Sequence, residues 1–507
     1  MDSTEPLLPQ PPNLQTFPSY TSLRHQKRFG SELEPRRWWI LLAFSLYNAG
    51  VAFGWLSFGV TPLTTIQYFG NISQNQLLLF ADSNLYMCFF LSYLGCWCAH
   101  KIFKKSLLIC FFIMALAGWI RYFGGSSYQW ALIGQFMLGI AAAPSFGFST
   151  LLPDRWFPAN ERFLVTSLAV NANYFGWILA CIFPALIVGK DPTNMPLSLL
   201  IQAIFMTLPI FIGIFAIRDK PKVPPSYSAL VKLTDTLGFF QEMRVLSSYK
   251  GFIWSSLFFG LTAGISFSVT TASGIFMEAE NLTYLQQGII QASYAISGMV
   301  TGILGSIFLS NRERKNYDLI IKILMTGSLL SLITLGIVFY YISSPNMLIL
   351  VICNSILGIG LIGFVPFVCG SIIESTFPVQ ESMSTNAISM VGMASGILVG
   401  HLSTIQSVGK GGFLVLGAFM LPCWIYAVFI HRTVYKQQVA DECHEEITEN
   451  LEQSLAEIDE IGMVTLSRKP SLFEEELEPR RSEKPSIIVE EEEDEELERD
   501  VRDESVF

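Results

Sequence analysis

The sequence predicts an all-α membrane protein with twelve transmembrane helices in two pseudo-symmetric six-helix bundles. Three observations carry this. Hydrophobic residues make up 51% of the 507-residue chain and charged residues only 15%, with a mean hydropathy of +0.45; soluble domains carry about 25% charged residues. Long apolar segments fall as six, a polar interruption, then six. A loop sequence also recurs: Arg155-Trp156-Phe157-Pro158-Ala159-Asn160-Glu161-Arg162 is echoed by Ser375-Thr376-Phe377-Pro378-Val379-Gln380-Glu381-Ser382. The Phe, Pro and Glu pairs stand 220 residues apart, and an acid, Asp154 or Glu374, opens each copy at that offset. An offset of nearly half the chain points to two related halves. Proline discourages helix just before it and the charges resist entering lipid, so the echo reads as one loop built twice, between the fourth and fifth span of each half.

Residues 1–35 are rich in Pro, Ser and Gln, a composition that predicts a disordered tail. They hold two sorting-like strings, Glu5-Pro6-Leu7-Leu8 and Tyr20-Thr21-Ser22-Leu23, of a length that chance supplies often. No cleavable signal peptide is expected, and the first span serves as the targeting signal. Apolar segments follow at 39–64, 77–99, 106–123, 129–152, 163–188 and 196–217, then at 251–277, 286–310, 318–342, 347–373, 383–405 and 412–431. Each is near or above the roughly 20 residues that cross the hydrocarbon core. The expected organisation is therefore a tail (1–35), a first bundle (36–217), a connector (218–250), a second bundle (251–432) and an acidic tail (433–507).

Lysine and arginine orient the chain. One set of loops holds 14 of them, in the stretches 101–105, 155–162, 218–250 and 312–315, whereas the opposite loops hold three, Arg121, Lys190 and Lys410. Arg24, Lys27, Arg28, Arg36 and Arg37 add to the first set. Both tails and the connector are thus expected in the cytoplasm. The sequons Asn71-Ile72-Ser73 and Asn281-Leu282-Thr283 fall on the other side, where Asn71 and Asn281 are candidate glycosylation sites.

The net charge of −10 is concentrated: residues 433–507 carry −17, so the remainder carries +7. This acid lies in a tail, not at a substrate or nucleic-acid surface, and nucleic acid is not an expected partner. Ile447, Leu451, Leu455, Ile458 and Ile461 make a helical stripe at its root, and the block Glu490–Glu496 stays extended by self-repulsion. Ser471 and Ser482 lie near basic residues and are candidate phosphorylation sites, and Ser505-Val506-Phe507 fits a peptide that adds to a sheet edge. Cytoplasmic partners of this tail are one expectation. Eight of nine cysteines lie in or beside apolar spans, which is use as a small hydrophobe. Cys96, Cys98 and His100 end a span and lack a second ligand pair, so no metal is expected.

No phosphate-binding loop, nucleophile–base pair or cofactor motif stands out, which argues against an ATP-driven pump or an enzyme. Polar groups inside apolar spans are then the informative ones, because lipid makes them costly. Asn48 and Trp55 share a face of span one; Asn171 with Tyr174, and Asn173 with Trp177, do so in span five; Phe267, Thr270 and Thr271 mark span seven. Together they suggest a pocket for a modestly polar or cationic solute, since aromatic faces attract a quaternary ammonium by about 2 kcal/mol or more when dry. The plainer reading of each ring is packing. Asp82 is the one carboxylate deep in a span; it either couples proton movement to transport or pairs with a polar neighbour. Arg121 is expected to snorkel outward, and His401, the only His within a span, is a poor supply for a haem ligand. Small-residue ridges at Gly298/Gly302, Gly358, Gly363 and Gly392/Gly396/Gly400 suit close helix contacts.

Arg36-Arg37-Trp38-Trp39, leading into Ser45-Leu46-Tyr47-Asn48 and Phe53-Gly54-Trp55-Leu56-Ser57-Phe58, resembles the first span of solute carrier family 49. These are the feline leukaemia virus subgroup C receptor-related transporters of the major facilitator superfamily. The two loops after spans four and ten resemble that family as well, and the likeness runs from about Arg36 to Arg432. It implies a twelve-helix carrier that alternates access around a central site. Its members are linked to choline and ethanolamine, to haem and, in a lysosomal branch, to pyridoxine-type vitamins. By this resemblance Trp55 matches a cage tryptophan, and Phe267 a cage position where choline carriers have Tyr. Tyr174 stands where those carriers have Gln, which fits the lysosomal branch better. Gly370 stands where many members have Glu, leaving Glu374 of an acidic pair. The Asp-x-x-Gly-x-Arg loop after span two is eroded to His100-Lys101-Ile102-Phe103-Lys104-Lys105.

The expected function is secondary transport of a small organic solute, a choline- or ethanolamine-like cation or a pyridoxine-like vitamin. The alternatives are a haem transporter and a non-transporting receptor or sensor. Trp55, Asn48, Asn171, Tyr174, Phe267 and Thr271 are the expected substrate contacts; Asp82, Glu161, Arg162, Glu374 and Glu381 are the expected coupling and gating residues. No cofactor is expected. The partners are the solute and the bilayer, in the plasma membrane or an endosomal or lysosomal one.

Overall fold

The computed structural model describes residues 34–222, 239–278, 282–310, 316–342, 346–376, 379, 381–404 and 411–436. The tails, the middle of the connector, Asn281, Lys410 and the loop residues Phe377, Pro378 and Gln380 lie outside the described residues. Twelve helices among the described residues are long and apolar enough to cross a membrane. Each is built by an uninterrupted apolar run, which in lipid leaves the helix as the structure that pairs its own backbone.

In order they are α1 (Arg36–Leu56), a short α2 (Pro62–Tyr68), α3 (Gln74–Lys101), α4 (Phe103–Phe123), α5 (Tyr128–Ala142), α6 (Ser145–Trp156), α7 (Ala159–Ile187) and α8 (Met195–Ala216). After the connector helix α9 (Phe239–Ser248) come α10 (Lys250–Glu278), α11 (Tyr284–Ser310), α12 (Tyr317–Tyr341), α13 (Met347–Leu361), α14 (Val365–Thr376), α15 (Glu381–Thr404) and α16 (Gly412–Ile425). The fourth and tenth spans are each broken in two: α5 and α13 are both 15 residues long, and α6 and α14 both 12. The second pieces begin at Ser145 and Val365 and end at Trp156 and Thr376, each pair at the offset of 220 residues seen in the loop echo. The repeat is thus one of structure, and its two acids, Asp154 and Glu374, are both buried at the ends of these pieces.

The halves meet along α3 with α15 and along α7 with α11. Glycine sits at these crossings. A Cβ on Gly302 of α11 would lie 2.8 Å from the Asn171 amide of α7, and one on Gly288 would lie 2.5 Å from the Cys181 carbonyl of α7. Large side chains at both ends of the helices face outward, among them Trp38, Trp39 and Trp254 at one end and Trp130, Tyr340 and Tyr341 at the other. This pair of aromatic girdles suits the two membrane interfaces. Below, the end carrying Arg155 and Arg162 is the basic end, and the end carrying Asn71 is the opposite end.

The sequons have a structural use. Ser73 caps α3: Gln76 N–H donates to its hydroxyl at 3.3 Å, and its own N–H donates to the Gln76 side chain at 2.8 Å. Thr283 and Gln286 repeat this box before α11, at 3.3 and 2.9 Å. The hydroxyl residue of each sequon therefore ties down a helix start. In unglycosylated protein, Ser73→Ala is expected to cost about 1 kcal/mol and lower the thermal midpoint, while Asn71→Asp, which suits the left-handed backbone at that position, leaves the cap in place. Equal losses from both substitutions would remove the cap from this account.

Beyond α16 the chain turns back over the basic end. Ser371 Oγ lies 3.0 Å from His431 Nε2 and 2.7 Å from Thr433 Oγ1. Thr433 donates its N–H to Asp318 at 3.0 Å, Val434 donates to Ser375 Oγ at 3.2 Å, and Tyr435 stacks on Tyr317. Burial pushes the His431 imidazole down to about 4 from an ordinary 6.5; Asp318 opposes that shift, while Arg432 and Lys322 add to it. The unfolded chain thus takes up the proton first. This share of stability is whole above 6.5 and is lost as pH falls toward 4. Thermal unfolding followed over that range should fall less steeply in His431→Gln than in the unaltered protein, and parallel curves would contradict the assignment.

Candidate substrate-binding cavity

A cavity enclosing about 1060 Å³ of space, counted out to open solvent, lies between the two halves. Its walls include Asn48 and Trp55 of α1, Asn84 of α3, Asn173 and Tyr174 of α7, Ser266 and Phe267 of α10, and Ser389 of α15. No Asp, Glu, Lys, Arg or His is among its lining residues. One wall is an aromatic cluster. The Trp55 ring meets Trp177 at 5.6 Å and Phe267 at 5.7 Å, both edge to face, and Tyr174 meets Trp177 at 5.0 Å. Trp55 belongs to the first half and Phe267 to the second, so the contact joins the bundles. The Trp55 indole N–H donates to the Ala81 carbonyl at 3.0 Å, which fixes the ring edge. The amides are held too: Asn173 donates to Asn48 Oδ1 at 3.0 Å, and Asn48 donates to the Ala169 carbonyl at 2.9 Å.

Of the expected substrate contacts, Asn48, Trp55, Tyr174 and Phe267 come together here. Asn171 does not line the cavity; it donates to Ser167 at 2.8 Å and packs on Gly302 at the crossing of α7 and α11. Thr271 lines a smaller neighbouring cavity, with its hydroxyl donated to the Phe267 carbonyl at 3.0 Å. Asn84 was not expected and lines the main cavity. An amide within an apolar span is the same signal that singled out Asn48. The hydroxyl pair of Ser266 on α10 and Tyr294 on α11, 2.6 Å apart, left no such mark.

Contacts between the halves lie at both ends of the cavity. At the basic end Arg162 reaches Asp154 at 3.4 Å and Glu381 at 3.8 Å, which joins the two copies of the repeated loop. Beside it Thr150 meets Thr385 at 3.3 Å, and Cys96 Sγ lies 3.5 Å from the Ser382 carbonyl. Glu161 pairs with Arg37 at 3.1 Å inside the first half. At the opposite end Asp82 pairs with His401 at 2.9 Å, linking α3 to α15. A Cβ on Gly370 would lie 2.7 Å from the Tyr317 ring, so a larger residue there requires that ring to move; Tyr317 fills the space. Arg121 corrects an expectation: it does not snorkel but turns into the first bundle and is 1% exposed.

The model of the Major Facilitator Superfamily matches residues 38–400. The chain belongs to that superfamily. It is 22% identical to the choline/ethanolamine transporter FLVCR2 of Rattus norvegicus over 72% of this chain and 68% of that one. It is also 22% identical to the choline/ethanolamine transporter flvcr2a of Danio rerio, over 81% of this chain and 90% of the other. The resemblance to the feline leukaemia virus subgroup C receptor-related transporters is thereby borne out. Among solved structures, a D-xylose–proton symporter superposes with a TM-score of 0.59 at 14% identity, covering 78% of this chain and 98% of that one, which shows the shared fold. The superfamily protein is a secondary transporter of a small organic solute, as expected.

Arg162→Met removes the guanidinium between Asp154 and Glu381. Breaking a buried ion pair costs about 3–5 kcal/mol, so the basic end is expected to open more often. Alkylation of Cys96, followed by peptide mass spectrometry, should quicken by about tenfold or more. An unchanged rate would show that Arg162 does not hold this end shut.

Proposed function

We propose that this carrier binds a small organic cation of the choline or ethanolamine kind, or a pyridoxine-like vitamin, against the aromatic wall of Trp55, Tyr174 and Phe267. It then moves the solute by alternating the contacts at its two ends. The observation that carries the reading is an uncharged, aromatic cavity shared by both halves. A quaternary ammonium is cheap to dehydrate, gains from ring faces and needs no carboxylate beside it. Asn48, Asn84 and Ser389 supply the hydrogen bonds that a hydroxyl or ring substituent asks for. The names of the relatives support the cation, and the Tyr174 position supports the vitamin. Haem is disfavoured on chemistry, because its carboxylates find no cationic side chain in the lining and its iron no histidine.

In this reading 36–217 and 251–432 are the moving bundles, Arg162, Glu381 and Glu374 belong to the gate at the basic end, and the Asp82–His401 pair belongs to the gate at the other. The lysine and arginine bias supports a cytoplasmic basic end with both tails on that side, where the acidic tail would recruit partners. Asp82 and His401 give a site at which protonation biases the opposite gate.

Uptake of labelled choline, ethanolamine and pyridoxine into vesicles holding the purified protein tests this. Trp55→Ala should lower uptake by more than tenfold, as expected from a loss of about 2 kcal/mol. Haemin should not compete. No flux of any of the three, or flux indifferent to Trp55, would sink the proposal.

A further inference from the structure

Arg121 sits on α4, well away from the cavity lining, and its environment is built for it. Its Nη1 donates to the Gly54 carbonyl at 3.2 Å, and its Nη2 donates to Ser57 Oγ and Gln202 Oε1, both at 2.9 Å. The guanidinium lies 4.6 Å from the centre of the Phe58 ring. Two glycines make the room. A Cβ on Gly54 would meet Arg121 Nη1 at 2.9 Å, and one on Gly134 would meet Arg121 Cγ at 2.4 Å. Among the described residues no carboxylate forms an ion pair with it.

The partner of this buried cation is a helix end. α1 stops at Leu56, so its last carbonyls lose their intrahelical donors. That end is buried among other helices, where no water replaces those donors. The Gly54 carbonyl instead accepts from Arg121, from Gln135 Nε2 at 3.3 Å and from Ser57 Oγ at 3.1 Å. The negative end of the α1 dipole faces the guanidinium, which is the favourable sense. Trp55 is the next residue after Gly54; its ring makes one hydrogen bond, to the Ala81 carbonyl, and meets Trp177 and Phe267 edge to face.

We infer that Arg121 is a positioning residue for substrate binding: by capping α1 in trans it fixes where Trp55 stands in the cavity wall. The inference rests on the reading of Trp55 as a substrate contact. It predicts that Arg121 acts on affinity through Trp55 and not through general stability.

The test is a double-mutant cycle on the KM and kcat of labelled-solute uptake, with Arg121→Met, Trp55→Ala and the pair. Arg121→Met should raise KM by about tenfold with a smaller change in kcat. Arg121→Lys, which keeps the charge but lacks the fork, should fall between. In the Trp55→Ala background, Arg121→Met should add nothing to KM, since residues that act as a unit are not additive. A KM untouched by Trp55→Ala overturns the site itself. A KM raised by Trp55→Ala and raised again, by the same factor, by Arg121→Met overturns the positioning role alone. If Arg121→Met does not fold, the same cycle is run with Arg121→Lys, and additivity there overturns the inference equally.

Discussion

A backbone carbonyl in hydrocarbon has no water to turn to, and this molecule is arranged around that constraint. Uninterrupted helices meet it by themselves. Wherever a helix stops or breaks within the apolar layer, a side chain has to reach in. α1 ends buried among other helices, and the Gly54 carbonyl is met by Arg121, Gln135 and Ser57. Hydroxyls along the spans return to carbonyls of their own helix, as Thr262, Thr270 and Ser306 do.

Charge is sorted by the same economy. Titratable side chains meet in the contacts at the two ends, where Arg162 faces Asp154 and Glu381, and His401 faces Asp82. No Asp, Glu, Lys, Arg or His lines the cavity between them. An ion pair at an end does two things: it compensates two desolvated charges, and it ties one half to the other. Separating the halves at that end exposes the charges to water, which lowers the cost of breaking the pair. A hollow with only rings and neutral dipoles holds a weakly hydrated cation or a small aromatic solute without fixing it by a charge that would then have to be undone for release.

At Gly370 the Tyr317 ring occupies the space a side chain would need, and that ring meets Phe163 of the first half edge to face and stacks on Tyr435 from the segment after α16. The three rings connect the root of the acidic tail to the seam between the halves.

The class, the twelve spans and the twofold repeat were legible in the sequence because each depends on local properties: apolar run length, and a loop whose proline and charges exclude it from lipid. The 220-residue offset reappeared as matching breaks in the fourth and tenth spans. Trp55, Asn48, Tyr174 and Phe267 were legible as cavity residues because a polar or aromatic group in a span is conspicuous. What could not be read was direction. Asn171 and Asn173 are two residues apart on one helix, yet one packs on Gly302 and the other lines the cavity. Arg121 by position alone belonged at the interface, and only the glycines at 54 and 134, brought to it from two other helices, let it turn inward. Apolar length determines that a helix spans; which face it shows, and which distant residue its polar groups meet, is set by helices that pack from elsewhere in the chain, and so only the tertiary structure decided it.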